Sequence, residues 1–557
     1  MKLSSILRAH VLTADLGETT NNYSCQPVDF TSHYSYLWVG DLSPITSLEW
    51  SSDRAAHLLE RAGFGGTPED VERLAGMSPQ AAVRRLVHYQ KVQVVNNSHL
   101  PAFDESGVFD PTLDPFPKSR ADAVRIARAH GESMGVKVKP GGDRPLQPVV
   151  DRFFYWLRAD ALEMRRAGQW WAKRMLVTNR PLQEKLALFW HGHFATSDIK
   201  VRDYRRLLKQ LELFWRHGNG NFRNLLIGVA QDPAMLVYLD AGENIKGHPN
   251  ENFGREILEL FTMGVGNYTE TDVRECSRAF TGWTLEHKLP RFHMGRWDWD
   301  FKFLPEDHDY SEKEFLGHKG NFDGEEIIDI ILSKPATATF IARHLYSFFV
   351  ADEPQVPAWS VTPPRDPEAV QFLADSLMES DYHIGIVLEK LFNSAFFKEQ
   401  RFSKVKNPTE VVISTLRLVG GTERPAPEIM DWTGQIAYMG QDLLNPPSVE
   451  GWHNGVEWIN SGTLMKRTNF VSELISDPSR PGVEVIISRV KEAGTEPSDI
   501  VDTCLDILGP LIVSETTRSE LIAHADRLGE FDWSGTGIER LTELMQLVVA
   551  TREYQFA

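Results

Sequence analysis

Apolar residues recur every three to four positions along most of the chain, which is the spacing of amphipathic helices. Runs that alternate apolar and polar residues, typical of half-buried strands, are scarce. The segments with helical spacing are 150–175, 181–194, 204–216, 251–263, 270–283, 325–350, 367–397 and 536–552. We therefore predict a mostly α fold, a large multi-helical globular protein with long loops and little sheet.

Helix start signals are clearest in the N-terminal third. Thr67 precedes Pro68 and two acidic residues, which combines an N-cap, a first-turn proline and charges that the helix dipole favours. Ser78 before Pro79 repeats this signal, and Gly63 after an apolar run is a stop signal. These signals predict short helices that begin near residues 68 and 79.

Stretches rich in glycine and proline predict loops between the helices. Residues 137–148 form one such stretch, and residues 353–367 contain five prolines. No repeat of fixed period is found, which disfavours a solenoid. The predicted organisation is an N-terminal extension over 1–50, a main helical domain over 51–480 with insertions at about 100–150 and 285–320 and a proline-rich loop at 353–367, and a C-terminal helical segment over 481–557 packed on the main domain.

Composition and charge exclude several classes of protein. With 42% hydrophobic and 24% charged residues in 557, the chain is neither collagen-like nor disordered. A net charge of −18 would repel a phosphate backbone, so we expect no nucleic-acid partner. No apolar run approaches the roughly 18 residues that a membrane span needs, so we expect none.

The cysteines and the N-terminal residues indicate the cellular compartment in which the protein is expected. Cys25, Cys276 and Cys504 lie far apart, so neither a disulfide framework nor a cysteine zinc site is indicated. Arg8 and His10 fall where a signal peptide needs an uninterrupted apolar core. We therefore expect a cytoplasmic protein.

The segment 251–263 has the most distinctive polar pattern. At about 100° per residue, one sector between two apolar flanks holds Asn252, Arg255, Glu256 and Glu259. Such a stripe indicates charges that point into the protein, and buried charges need a partner or a metal ion. A metal or catalytic site is one interpretation. An internal salt-bridge network that includes Arg278 and a solvated face are the alternatives.

Two histidines lie at the end of the helix predicted over 181–194. His193 continues the apolar stripe of this helix, whereas His191 points about 200° away if the helix persists. Both reach one ion only if the helix ends at Gly192, which the residues that follow favour. Such a pair can bind zinc, iron or copper. The alternative is one core histidine bonded to a backbone carbonyl and one exposed histidine.

Two loops carry further candidates. In the acidic stretch after the tryptophan-rich run at 296–301, His308 and Asp309 are additional candidate ligands, or His308 is a base oriented by a carboxylate. A solvated acidic loop is the alternative. In residues 445–453, adjacent prolines and a glycine before a tryptophan predict a rigid loop packed on the core, as one wall of a pocket.

The order of these motifs resembles that of a large bacterial family called domain of unknown function 1800. The resemblance covers about residues 50–550 and rests on 55–68, 189–194, 250–260, 268–274, 278–283, 308–309 and 446–452. It implies exported relatives with twin-arginine signals, and a protein partner from a family related to sulfatases and alkaline phosphatases. Where the family often reads W-H-N-H-F, Gly192 stands between the histidines here.

These patterns predict a metal-dependent helical enzyme of unknown substrate, an oxidoreductase rather than a hydrolase. The expected ion is iron, copper, manganese or zinc, and its expected ligands are His191, His193, Glu256, Glu259, His308 and Asp309. The expected catalytic residues are Glu256, Arg255 and Arg278, of which the arginines orient carboxylates or hold an anionic substrate.

Two alternative functions stay open at this point. One is a non-catalytic scaffold or partner protein with an internal salt-bridge network. The other is a carbohydrate-active enzyme that uses Glu256 and Glu259 as acid and base and tryptophans as sugar platforms. P-loop, dinucleotide-binding, G-x-S-x-G and H-E-x-x-H motifs are not found, which disfavours nucleotide-driven and serine-esterase chemistry.

Overall fold

The computed structural model describes most of the chain from residue 42 onwards. The described residues are 42–91, 102–106, 125, 147–286, 300–421, 432–529, 533 and 535–557. The first 41 residues of the predicted N-terminal extension, most of the predicted insertion at 100–150 and the tryptophan-rich run at 296–299 lie outside them. Residues Gly40–Ala557 form one compact unit.

Helices form almost all of the regular structure in these ranges, which confirms the predicted fold class. The α-helices are α1 Ser52–Arg61, α2 Pro68–Ala75, α3 Pro79–Val87, α4 Gln147–Val177, α5 Pro181–His193, α6 Asp198–Val201, α7 Tyr204–His217, α8 Phe222–Ala230, α9 Pro233–Tyr238, α10 Glu251–Glu259, α11 Glu270–Ala279, α12 Gly324–Leu332, α13 Pro335–Phe349, α14 Pro367–Glu379, α15 Ile384–Asn393, α16 Ala395–Lys398, α17 Pro408–Val419, α18 Trp432–Tyr438, α19 Ser461–Ile475, α20 Pro481–Ala493, α21 Pro497–Ile507, α22 Glu515–Leu528, α23 Gly535–Val549 and α24 Arg552–Gln555.

Two small antiparallel sheets complete the described secondary structure. In one sheet β1 Trp283–Leu285 pairs with β2 Phe301–Phe303, and in the other β3 Lys313–Phe315 pairs with β4 His318–Gly320. Each sheet has only two strands. Both lie in the connection between α11 and α12, so they are additions to a helical core.

Local sequence signals place the first helices correctly. Thr67 caps α2 by accepting a hydrogen bond from the backbone of Asp70 at 3.3 Å, and the Asp70 carboxylate accepts from the backbone of Thr67 at 3.2 Å. Ser78 caps α3 through its side chain, which accepts a hydrogen bond from the backbone of Ala81 at 3.3 Å. α1 ends at Arg61, shortly before Gly63.

Two segments predicted as continuous helices are interrupted. The segment 325–350 forms α12 and α13, because Pro335 begins a new helix and cannot continue the preceding one. The segment 367–397 forms α14, α15 and α16, and the first break holds Asp381 and Tyr382 at φ of 51° and 58°. No glycine marks that break, so periodicity alone does not reveal it.

One hydrophobic core runs through the described residues from Ala55 to Tyr554 and includes residues on both sides of position 480. Helix α5 lies within this core, and ten of its thirteen residues are buried. A helix that is buried on all sides is an internal helix, not an amphipathic surface helix. None of the helices in the described ranges has the length and apolar character needed to traverse a lipid bilayer.

Two charged residues of α5 are buried and must therefore be paired. Glu184 accepts hydrogen bonds from the indole N–H groups of Trp171 and Trp215 at 3.2 and 2.9 Å and from Arg174 at 3.0 Å. These three donors satisfy the carboxylate, and the Arg174 guanidinium also stacks on Trp215, 4.1 Å from its ring centroid. They attach α4 and α7 to α5.

The neighbouring Lys185 attaches two further parts of the chain to α5. Its ammonium group donates to the carbonyl oxygen of Gly63 at 2.7 Å and to the carboxylate of Glu410. Glu410 also accepts from Lys404 and lies in the first turn of α17. The two ammonium groups hold the pKa of Glu410 well below its usual range although burial alone would raise it. Helix α5 is therefore a rigid base for the histidines at its end.

Candidate functional site

The two histidines of α5 lie on different sides of the helix. The helix continues to His193 and does not end at Gly192, so the geometry required for a shared ion is not formed. The His191 ring contacts Trp171 and Trp452, at 5.7 and 5.3 Å between ring centroids. The rings of His191 and His193 therefore contact different parts of the core.

His193 is a neutral imidazole whose proton position follows from its hydrogen bond. Its Nε2 lies 3.0 Å from the carbonyl oxygen of Phe261. Because a carbonyl oxygen only accepts, Nε2 carries the proton and Nδ1 carries a lone pair. Nδ1 is buried and has no hydrogen-bond partner among the described residues. Burial lowers the pKa of His193 to about 4, although the Phe261 carbonyl opposes this shift.

A second imidazole from α13 meets His193. The rings of His193 and His344 are 4.7 Å apart between centroids and nearly perpendicular, at 77°. His344 Nε2 is buried without a hydrogen bond in the described part of the chain. Burial, followed by His193 and Arg343, lowers the pKa of His344 well below its usual value. Sequence reasoning missed His344, because its only signal is a single histidine in an apolar helix.

Both imidazoles line a cleft that is partly open to solvent. Aromatic walls of the cleft come from Phe348, Trp359, Trp452 and Trp458. Its charged lining residues are Asp352, Lys404 and Glu450. The loop predicted over 445–453 does form one of its walls, through Val449, Glu450, Trp452 and His453.

Two glycines bring this loop into contact with α5. Gly451 has φ of 91°, and a Cβ atom at that position would overlap the carbonyl oxygen of Gly192. A Cβ atom on Gly192 would lie 3.4 Å from the ring of Trp452. The two backbones can approach this closely only where a side chain is absent. The contact fixes Trp452 directly beside the helical turn that carries the two histidines.

The proline-rich segment at 353–367 forms another wall of the cleft. Arg343 of α13 donates two hydrogen bonds to the carboxylate of Glu353, at 2.8 and 2.6 Å, and one to the carbonyl of Thr362 at 2.9 Å. Its guanidinium also lies 4.5 Å from the ring centroid of Trp359. Trp359 in turn contacts His344, at 4.6 Å between centroids. Arg343 therefore holds the segment and its tryptophan over the imidazole pair.

The polar stripe of α10 is not enclosed, which corrects the sequence-based expectation. The apolar residues of this helix face the core, so the polar stripe lies at the edge of the buried face of the helix. Glu251 and Asn252 are exposed. Arg255 forms a two-bond ion pair with the exposed Glu270, at 2.9 and 2.6 Å. The direct contribution of this part of the chain to His193 is the backbone carbonyl of Phe261, two residues beyond the helix.

Glu256 and Glu259 have different surroundings. The hydroxyl group of Tyr268 donates to Glu259. Glu256 is half-buried and forms no hydrogen bond or ion pair with the described residues. Burial, then Glu259, raises the pKa of Glu256 to about 7; Arg255 opposes this shift, and Glu450 adds a smaller rise. Because Glu450 lines the cleft, Glu256 lies within electrostatic range of the cleft's rim.

His308 and Asp309 lie elsewhere and have structural partners. His308 Nδ1 donates to the carbonyl of Thr281 at 2.8 Å, and Asp309 accepts from Arg278 Nε at the same distance. Burial alone would raise the pKa of Asp309, but hydrogen bonds from Arg278 and Ser311 hold it below its usual range. Arg278 binds none of the stripe carboxylates. The six expected ligands are thus not gathered, and no three His, Cys, Asp or Glu side chains group as a metal site within the described ranges.

Comparison with known proteins gives one match. A family model described as a protein of unknown function, DUF1800, matches residues 57–556. Neither the curated proteins nor the solved structures contain a match to the chain. The matched residues include α5, α13 and every described residue that lines the cleft.

Proposed function

The chain belongs to the DUF1800 family of proteins of unknown function, and we propose that it is a metal-dependent enzyme with its active site in the cleft. In this proposal His193 Nδ1 and a ring nitrogen of His344 bind the ion. The observation that carries the proposal is the pair of neutral imidazoles in contact, each with a buried nitrogen that lacks a hydrogen-bond partner in the described chain.

General properties of histidine ligands support a metal ion at this position. Buried polar atoms are normally hydrogen-bonded, so exceptions call for an explanation such as an ion. A histidine that binds metal with one nitrogen usually donates its other N–H to a carbonyl or carboxylate, and His193 donates to Phe261 in this way. Imidazole suits zinc, copper and iron, whereas manganese prefers carboxylate oxygen. Manganese is therefore not expected at this pair of imidazoles.

The number and charge of the ligands indicate the type of chemistry. Two protein ligands leave positions of the ion open to substrate or solvent, as in catalytic sites, whereas structural sites are closed. Both imidazoles are neutral, so an ion with a single charge is buried here at a lower cost than a dication. This favours copper(I) and hence an oxidoreductase. Zinc would instead activate water for hydrolysis.

Metal binding by the untagged protein tests this proposal. Purified full-length protein is depleted of metal, titrated anaerobically with copper(I) and separately with zinc, and analysed for bound metal. We expect one ion per chain. The variants His193→Gln and His344→Gln each weaken binding by at least about tenfold, because each removes one of two ligands.

His308→Gln is the matched control, since His308 is also a buried histidine bonded to a backbone carbonyl. It is expected to bind the ion as the original protein does, and circular dichroism confirms folding of all three variants. If a variant at position 193 does not fold, the half-buried His344 provides the test by itself. Absence of any bound ion, or unchanged binding by both ligand variants, overturns the proposal.

A non-catalytic scaffold is the second candidate. It is supported by the ion pairs of the residues expected to be catalytic, since Arg255 pairs with Glu270 and Arg278 pairs with Glu275 and Asp309. Under this candidate these residues stabilise the chain and the imidazole pair binds nothing. The copper and zinc titrations distinguish the two candidates directly.

A further inference from the structure

The charged groups that line the cleft offer no free positive charge. The lining contains one ammonium group, that of Lys404, and the carboxylates of Asp352 and Glu450. Lys404 donates to the two carboxylate oxygens of Glu410 at 3.2 and 3.0 Å and to the carbonyl of Val405 at 3.5 Å. Because an ammonium group has three N–H donors, none remains for a ligand.

Glu450, which lines the cleft near its mouth, has no counterion in the described part of the protein. Glu450 is exposed, and its side chain forms no hydrogen bond or ion pair there. Glu256 interacts electrostatically with Glu450, and the neighbouring Arg255 offsets part of the Glu256 charge. Asp352, by contrast, accepts a hydrogen bond from the backbone of Val405 at 2.9 Å and lies near Lys404. The uncompensated negative charge is therefore at the mouth.

The remaining features of the cleft also favour positive charge. His193 is 7% exposed, and its unpartnered Nδ1 is an acceptor. The rings of Trp359, Trp452 and Trp458 line the walls. The faces of such rings attract cations, and the ring of Trp359 already holds the guanidinium of Arg343. A ligand that satisfies these groups must supply N–H donors or positive charge together with an apolar surface.

We propose that the cleft binds an organic cation, a molecule in which an ammonium group is attached to an apolar or ring-shaped body. The ammonium group lies near Glu450, and the body packs against the tryptophans. An anionic ligand is disfavoured by the same charges. This differs from the expectation that Arg255 and Arg278 hold an anionic substrate, since both arginines are paired with acidic residues.

Calorimetric titration of the metal-free, full-length protein with three probes of similar shape tests this inference. The probes are benzyltrimethylammonium, its uncharged isostere neopentylbenzene, and the anion phenylacetate. We expect the ammonium probe to bind at least about tenfold more tightly than either of the others. We also expect its affinity to fall with ionic strength, because the carboxylates near the mouth are accessible to salt.

Substitutions at the mouth locate the binding site. Glu450→Gln is expected to weaken binding of the ammonium probe by about threefold, and Glu450→Gln combined with Glu256→Gln by about tenfold. Glu484→Gln changes the net charge equally at an exposed position outside the cleft and should leave affinity unchanged. The inference is overturned if phenylacetate binds as tightly as the cation, if the double variant binds normally, or if no binding occurs up to about 10 mM.

This inference shares the cleft with the proposed metal site but does not rest on it. The cation titration uses metal-free protein and carboxylate variants, whereas the metal titration uses histidine variants. Binding of the ammonium probe without binding of copper or zinc would leave the inference standing and reject the proposed function. The reverse result would reject only the inference.

Discussion

Single residues determine how closely the walls of the cleft meet. Gly451 contacts the backbone of Gly192 where the chain turns into the loop that carries Trp452. The site depends equally on His344, which contacts Trp359 of the following segment and His193 from a distant position in the chain. Contacts of this kind are set by tertiary packing, so the periodicity of one helix cannot predict them.

Gly451→Ala is expected to destabilise the protein by about 3 kcal/mol, because the new Cβ combines a left-handed backbone conformation with overlap on Gly192. Gly192→Ala is the matched control, since its Cβ would lie 3.4 Å from the Trp452 ring, at an ordinary contact distance. Its stability should change by no more than about 1 kcal/mol. Urea unfolding measures both. Equal losses for the two variants would contradict the assigned contact.

Asp232 is expected to make stability depend on pH. Burial raises its pKa to about 7, although hydrogen bonds from Met235 and Gln210 oppose this shift. Between the unfolded value of 3.8 and about 7 the native state therefore binds more protons than the unfolded state, so this group's contribution falls as pH rises. The loss from pH 5 to pH 8 is about 3 kcal/mol.

The variant Asp232→Asn isolates this effect, because an amide does not titrate and its oxygen can still accept from Met235. Urea unfolding at pH 5 and pH 8 gives the two free energies of unfolding for each protein. We expect the free energy of unfolding to fall less from pH 5 to pH 8 in the variant than in the original protein. An identical pH dependence in both proteins would show that Asp232 does not titrate in this range.

At the scale of helices and loops, close packing of α10 on α11 supports the backbone that holds His193. A Cβ atom on Gly254 would overlap the hydroxyl group of Ser277 in α11. The sequence marks this position only as one glycine inside a helical pattern. The sequence predicts that the polar stripe on the same helix faces inward, and this prediction is wrong because the pattern does not reveal which flank packs against the core.

Gly254→Ala is therefore expected to destabilise the protein by about 2 kcal/mol through overpacking. Gly168→Ala tests a second helical glycine, where the nearest atom to a new Cβ is a Thr433 methyl group at 3.7 Å. That variant should be neutral or slightly stabilising, because alanine favours a helix more than glycine does. Thermal and urea unfolding check both. A harmless Gly254→Ala substitution would contradict the close helix contact.

The segment at 353–367 depends on one arginine. Arg343→Lys keeps the charge but cannot retain both hydrogen bonds to Glu353 Oε2, so we expect about 2 kcal/mol of destabilisation and faster proteolysis within this segment. Arg489→Lys is the control, because its pairs with Glu69 and Glu72 are exposed and should contribute little. Equal proteolysis rates for the two variants would contradict the role of Arg343.

At the scale of the whole molecule, the helical fold class was predictable because apolar periodicity and capping residues act locally. The matched family over residues 57–556 agrees with the motif order found in the sequence. Most of the site was not predictable, since the cleft joins α5 to α13 and to two loops that lie more than a hundred residues further along the chain. His193 is the expected ligand that the structure places in the cleft, and Glu256 lies near its rim.

The central claim is that the imidazoles of His193 and His344 share an ion. Anomalous diffraction from crystals of the untagged protein loaded with copper or zinc measures this most directly. We expect one anomalous peak at about 2.0–2.1 Å from His193 Nδ1 and from a ring nitrogen of His344. Ordered imidazole rings with no peak between them, or a peak at His308 or Glu256 alone, would contradict the account.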